Sequence, residues 1–203
     1  MKNDIELWLG AGSINIFGRP FAGKDTQGKR LADQFKGHLL GGGDILRNSI
    51  IPQHIFDIQA AGNLIPSADY VAIVLPYLKK AEFAGKPLIL SSVGRWKGEE
   101  VGVIEALTEA NHPLKAVIYL DISEEDVRKR WHALESHDDR HHRADDTLDI
   151  LETRLQEYRD KTLPVIDEYE KQGLLIRVDG TKTPDEVQEH ILQALASRAS
   201  TSQ

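Results

Sequence analysis

The chain has 203 residues, 40% hydrophobic and 28% charged, with a formal net charge of −7 and no cysteine. That length and balance fit one folded domain with insertions and exclude a disordered chain. The missing thiols exclude disulfides, thiolate zinc sites and cysteine nucleophiles, and the acidic excess argues against a nucleic-acid-binding surface. The longest apolar stretch, VAIVLPYL at 71–78, is far too short for a membrane span and is broken by Pro76. Asp4 and Glu6 interrupt the apolar run that a signal peptide needs, so a cytoplasmic protein with no membrane partner is expected.

In chain order, residues 13–17 (SINIF) predict a buried strand and 24–36 a helix with Leu31, Ala32 and Phe35 on one face. A short strand follows near His38–Leu40. Residues 43–80 read as a helical insertion. PLILS at 87–91 predicts a second buried strand, and a helix from Glu99 to Asn111 is closed by His112-Pro113. KAVIYL at 115–120 is a further strand; Ser123 then caps a helix whose first turn carries Asp126. Residues 135–145 (ESHDDRHHRAD) form a polar loop. A helical stretch over 146–172 is bent at Pro164, LLIRV at 174–178 is a strand, and Thr183-Pro184 opens the last helix. Strands alternating with helices predict an α/β fold, a parallel sheet covered on both faces. Ligands of such sheets lie beyond the carboxyl ends of the strands. The segments 43–80 and 135–145 leave near such ends, as candidate substrate covers on a core made of 1–42, 81–134 and 146–203.

The most informative stretch is Gly18-Arg-Pro-Phe-Ala-Gly23-Lys24-Asp25-Thr26. It follows a predicted strand and opens a predicted helix, as a phosphate-binding loop requires. Its glycines let successive backbone N–H groups turn inward, the helix start adds partial positive charge, and Lys24 reaches the outer phosphates of a nucleoside triphosphate.

From this loop onward the sequence resembles the adenylate kinases, and more broadly the nucleoside monophosphate kinases, over nearly its whole length. GRPFAGKDTQ is similar to that family's phosphate loop at Gly18, Gly23, Lys24, Thr26 and Gln27. GGGDILR (41–47) resembles the opening of the monophosphate-binding helices, with Asp44 and Arg47 matching, and GNLIP (62–66), with Ile65, resembles the turn along the acceptor base. Arg95 stands where the family keeps an acceptor-phosphate arginine, and Arg130 where a side chain packs on the ATP base. Arg143-Ala-Asp-Asp146 resembles the hinge side of the lid, with Arg154 on the helix behind it. TLPVIDEY (162–169) and VDGTK (178–182), which brings Lys182 beside the ATP base, complete the series. The resemblance implies a five-stranded parallel P-loop sheet flanked by helices, with a helical monophosphate-binding insertion and a short lid. It implies a monomer transferring the γ-phosphoryl of ATP to AMP with Mg²⁺. Lys24, Arg95, Arg143 and Arg154 would be catalytic, and Arg47 would hold the acceptor phosphate. Five cations from separate segments suit this chemistry, which needs positioning and charge more than covalent participation. An alternative for Arg143 and Arg154 is an ordinary surface pair with Asp146 or Glu157.

Several positions depart from the family pattern. Phe21 and Asp25 replace phosphate-loop glycines, and Ser91 stands where the family has a strand-end Asp that orders Mg²⁺ waters. Thr26, Asp25 and Ser91 are the candidate Mg²⁺-side residues, with Asp25 a candidate replacement for the missing strand-end carboxylate; the ion itself would be held mainly by phosphates and water. Gly42 replaces a Thr, and Glu99 a base-reading Gln. A carboxylate suits the adjacent donors of guanine, so GMP or a deoxynucleotide is an alternative acceptor; Glu99 beside Glu100 on a solvated helix is the ordinary reading. Leu134 stands where an early-lid arginine belongs, leaving Arg140 to grip ATP. Without cysteines the lid holds no zinc, and the adjacent histidines of the 135–145 loop lack ligand spacing. Phe21 and Ser91 also raise the possibility of a nucleotide-binding homologue with weak or no turnover.

Overall fold

The computed structural model describes residues 2–42, 45, 48–49, 51–55, 67–135 and 147–201. Five strands form one parallel sheet: β1 (Ser13–Gly18), β2 (His38–Gly41), β3 (Leu88–Ser91), β4 (Leu114–Asp121) and β5 (Leu175–Asp179). Their order across the sheet is β2-β3-β1-β4-β5. The interior strand β1 is buried at every position, which explains its unbroken apolar run rather than an alternating one. The sequence locates all five strands to within about two residues.

The helices are α1 (Lys2–Leu9), α2 (Lys24–Phe35), α3 (Ser67–Leu78), α4 (Glu99–Glu109), α5 (Glu124–Glu135), α6 (Leu148–Glu157), α7 (Leu163–Lys171) and α8 (Pro184–Thr201). Alternate strand residues sort into opposite layers. Ile14, Ile16, Ala116, Ile118 and Leu120 face α1, α2, α5, α6 and α8 through Ile5, Leu31, Trp131, Leu155 and Ile191. On the other face Leu88 and Leu90 meet Ile73, Val74 and Leu107 of α3 and α4, while Phe17 and Val117 meet Val165, Ile166 and Tyr169 of α7.

Two starts read from the sequence are built as reciprocal caps. Ser123 Oγ accepts from the Asp126 N–H at 3.0 Å, and Asp126 accepts from the Ser123 N–H at 3.1 Å. Thr183 and Glu186 repeat the pattern at α8. Three features differ from the expectation. Helix α1 is an additional element ahead of β1 and packs on α8. Helix α3 runs through Pro76. The predicted bend at Pro164 is a widened π-helical turn, Tyr158–Thr162, in which the Leu163 N–H reaches back to the Tyr158 carbonyl. Pro164 has no N–H to give, and the chain absorbs the loss by widening the turn before it. No helix among the described residues is long and apolar enough to cross a membrane.

Candidate active site

The strands deliver Gly18, Gly41, Ser91, Asp121 and Asp179 to one edge of the sheet: Gly41 is level with Ser91, Gly18 with Leu120, and Asp121 with Asp179. The phosphate loop leaves β1 in the middle of that edge. A Cβ on Gly18 would stand 2.9 Å from Ala22 and 3.0 Å from the Leu120 carbonyl, so only glycine fits the turn. Gly23 enters α2 at φ 92. Phe21 also adopts a left-handed conformation, φ 60, which costs a bulky residue on the order of 1–2 kcal/mol. Its ring leaves the loop sideways and meets the Arg154 guanidinium 6.0 Å from the ring centre.

Lys24 folds over its own loop. Its ammonium donates to the Gly18 carbonyl at 2.8 Å and to the Arg19 carbonyl at 2.9 Å. Burial lowers its pKa to about 8; Asp25 works against that shift, and Arg154 and Arg95 add to it. The charges of Arg154 and Arg95, from two other segments, thus bear on Lys24. Asp25 lies in the first turn of α2 and accepts a hydrogen bond from the Ser91 hydroxyl at 2.9 Å. Thr26 follows it, exposed on the same turn. A carboxylate, two hydroxyls and substrate phosphates form a hard oxygen donor set, which fits Mg²⁺ bound through water; no protein-only cluster of metal ligands occurs among the described residues.

The loop carrying Arg95 is fixed from below and from the side. Buried Asn15 donates to the Val93 carbonyl at 2.8 Å and accepts from the Val93 N–H. The Lys161 ammonium lies 4.1 Å from the Trp96 ring centre, and Lys97 pairs with Glu168 at 3.7 Å. Glu99 and Glu100 are only 7% and 5% exposed, so of the two readings of Glu99 the solvated one does not hold. Glu99 accepts from the Trp96 N–H at 3.2 Å, and Glu100 from the Gly98 N–H. These carboxylates satisfy backbone donors in the turn before α4. Burial pushes the Glu99 carboxyl up to about 7, against the pull of the Trp96 and Arg95 N–H groups and the Arg95 charge.

On the far side of the loop, Arg130 donates to the Phe21 carbonyl at 2.9 Å and to the Gly180 carbonyl at 2.6 Å. The edge of its guanidinium is thus engaged with backbone. Lys182 is exposed in the turn between β5 and α8; hydrogen bonds from Thr181 and Thr183 hold the Asp179 and Glu186 carboxyls below the usual range, and the Lys182 charge adds a smaller push in the same direction. Gly42 lies after β2, where a Cβ would approach the Ser92 carbonyl to 3.2 Å. Glu157 pairs with Lys161 at 3.5 Å on the exposed surface of the helix. Arg47, Ile65, Arg140 and Arg143, with Asp44, lie outside the described residues.

Arg19 is a residue whose role the sequence did not disclose. It donates to the Tyr119 hydroxyl at 3.0 Å and the Ile122 carbonyl at 2.8 Å, and lies 5.4 Å from the Tyr158 ring centre. Its available signal was a charged residue directly after the first loop glycine. Its side chain fastens the phosphate loop to the end of β4, while its carbonyl accepts from Lys24.

A lysine-bearing loop between a central parallel strand and its helix, with further cations converging on that lysine, defines a P-loop nucleotide phosphotransferase. Residues 16–174 match the sequence model of the family described as adenylate kinase. The chain is 32% identical to an adenylate kinase of Micrococcus luteus across 90% of its own length and 89% of the relative's. It is 32% identical to one of Deinococcus radiodurans (96% and 98%) and 31% identical to one of Thermus thermophilus (90% and 96%). The chain belongs to the adenylate kinase family.

Proposed function

We propose that this protein transfers the γ-phosphoryl group of ATP to AMP, giving two ADP. A phosphate oxygen of AMP attacks the γ-phosphorus in line, the bond to the β–γ bridging oxygen breaks, and that oxygen leaves as part of ADP. The observation that carries this reading is the phosphate loop itself, with Lys24 at the start of α2 donating to the Gly18 and Arg19 carbonyls beside the carboxyl edge of the sheet. Lys24 would exchange its two loop carbonyls for phosphate oxygens of ATP. Arg95 would grip the acceptor phosphate and Arg154 the transferring group; arginine suits both because its fork grips phosphate oxygens in pairs. An arginine acting on the transferring group contributes roughly 10³–10⁵ in rate. Gly18 and Gly23 shape the loop, and Arg130 and Lys182 flank the ATP base. Gly42, Arg47, Ile65 and Glu99 border the acceptor, within an insertion over 43–80. Arg140 and Arg143 belong to the short lid over 135–145, which excludes water on closing. Thr26, Asp25 and Ser91 would face the Mg²⁺ that accompanies ATP, which would supply charge neutralisation at the phosphates. The protein works as a monomer in the cytoplasm.

With both glutamates serving the turn before α4, AMP remains the favoured acceptor. Purified protein incubated with Mg·ATP and, in parallel, AMP, dAMP, GMP, dGMP, CMP, UMP and dTMP tests this directly by chromatography of the diphosphates. ADP should form fastest with AMP, and Lys24→Ala should cut that rate by at least about a hundredfold. Preference for GMP would instead make Glu99 a base-reading residue. ATP binding without any diphosphate would overturn the enzymatic reading.

A further inference from the structure

Asp25 poses an electrostatic problem. It directly follows the phosphate-loop lysine, in the first turn of α2. Placed beside a triphosphate, a carboxylate is repulsive. The structure nevertheless fixes it toward the sheet edge: Ser91, the last residue of β3, donates its hydroxyl to Asp25 Oδ1 at 2.9 Å. Ser91 is in turn level with Ile16 of β1 and Gly41 of β2. The carboxylate therefore stands at the mouth of the sheet between the phosphate loop and the acceptor-side strands. A strand-end carboxylate at position 91 and a carboxylate at position 25 held by residue 91 present negative charge to nearly the same place.

We propose that Asp25, held in place by Ser91, is the carboxylate through which this chain engages the water shell of the Mg²⁺ that accompanies ATP. The function is moved from the end of a strand to the start of the neighbouring helix. This rests on the reading of the site as an ATP site. Its consequence is a change of sign. With the divalent ion present Asp25 attracts the complex; without it Asp25 repels the nucleotide. Two simpler roles, pinning α2 to β3 or favouring the helix dipole, would move both forms of ATP in the same direction.

Calorimetric titration of the purified protein with ATP, with and without Mg²⁺, separates these roles. Asp25→Asn keeps an oxygen for the Ser91 hydroxyl and removes the charge. It should weaken Mg·ATP binding by about tenfold and tighten binding of metal-free ATP. Mn²⁺ substituted for Mg²⁺ gives a second readout, because at Mn·ATP concentrations near the native Kd the paramagnetic signal of the bound complex should fall several-fold in Asp25→Asn. The pair Asp25→Gly with Ser91→Asp should recover the native dependence on Mg²⁺, whereas Asp25→Gly alone should not. Parallel shifts in both forms of ATP, or no shift, overturn the assignment of Asp25 while leaving the ATP site standing. Failure of the native protein to bind ATP in any form overturns the site itself.

Discussion

Two side chains carry more of their chemistry in their surroundings than in their type. Glu99 is an acid whose burial holds its pKa near 7 instead of the usual 4.5. The folded state therefore favours the protonated form. The stability this provides is fully present below pH 4.5 and is lost as pH rises through about 7. Arg95 and Glu100 face the carboxyl from its own segment, and Tyr169 faces it from α7. Glu99→Gln, which keeps an acceptor for the Trp96 N–H, should melt close to the native protein at pH 5. By pH 8 it should be the more stable of the two by a few kcal/mol at most; equal melting curves across this range would remove the argument. Phe21 presents the opposite balance. Glycine there would relieve a left-handed backbone but would lose a half-buried ring packed on the core and its contact with Arg154. These terms nearly cancel in stability, so Phe21→Gly should leave the melting temperature almost unchanged. Turnover should fall about two- to fivefold, the range of an exposed cation–π contact, and Phe21→Tyr should restore it. Arg19 is a side chain whose role could not be read along the chain, because its partner Tyr119 is 100 residues away.

At the scale of elements, legibility followed local signals. The strands could be read because burial on both faces leaves short apolar runs bounded by glycine, proline and charge. Helices α5 and α8 could be read because Ser123–Asp126 and Thr183–Glu186 are local devices that work over three residues. Helix α1 was missed for the converse reason. It is only eight residues long and buries only Ile5 and Leu9, one turn apart, with Trp8 partly buried beside them. Its order comes from packing on α8, at the other end of the sequence. Leu7, on the same helix, is 80% exposed. Ile5→Ala should therefore destabilise the fold by roughly 2–4 kcal/mol in denaturant unfolding, and Leu7→Ala by less than about 0.5. Comparable losses from both would mean that α1 is not docked through Ile5. The π-helical turn before Pro164 is an intermediate case. Proline announced a disturbance, but whether the chain kinks, breaks or widens depends on how Tyr158 and Val165 seat against β1 and β4.

Across the whole molecule, the acidic total conceals a local excess of the opposite sign. In a chain of net charge −7, the charges of Arg95 and Arg154 both bear on Lys24. Composition excludes a broad basic surface but has no bearing on a focused one, because focusing depends on which strand ends meet. The order β2-β3-β1-β4-β5 does that work by placing β1 and its loop between the strand that leads to Arg95 and the strand that leads to Arg130. That convergence was legible only through ordered motif matches. Arg95 and Arg130, taken singly, look like any surface arginine.

Arg130 links the Phe21 carbonyl to the Gly180 carbonyl across 109 and 50 positions of sequence. The turn after β5 is thereby spliced into the phosphate loop by two hydrogen bonds that bypass the hydrophobic core. Slack introduced at Gly180, by insertion or by a change of backbone conformation, would be transmitted to the residue three positions before Lys24. The tuning of the phosphate grip is thus shared with a segment near the far end of the chain, where sequence drift could adjust catalysis without touching a single residue that meets a phosphate.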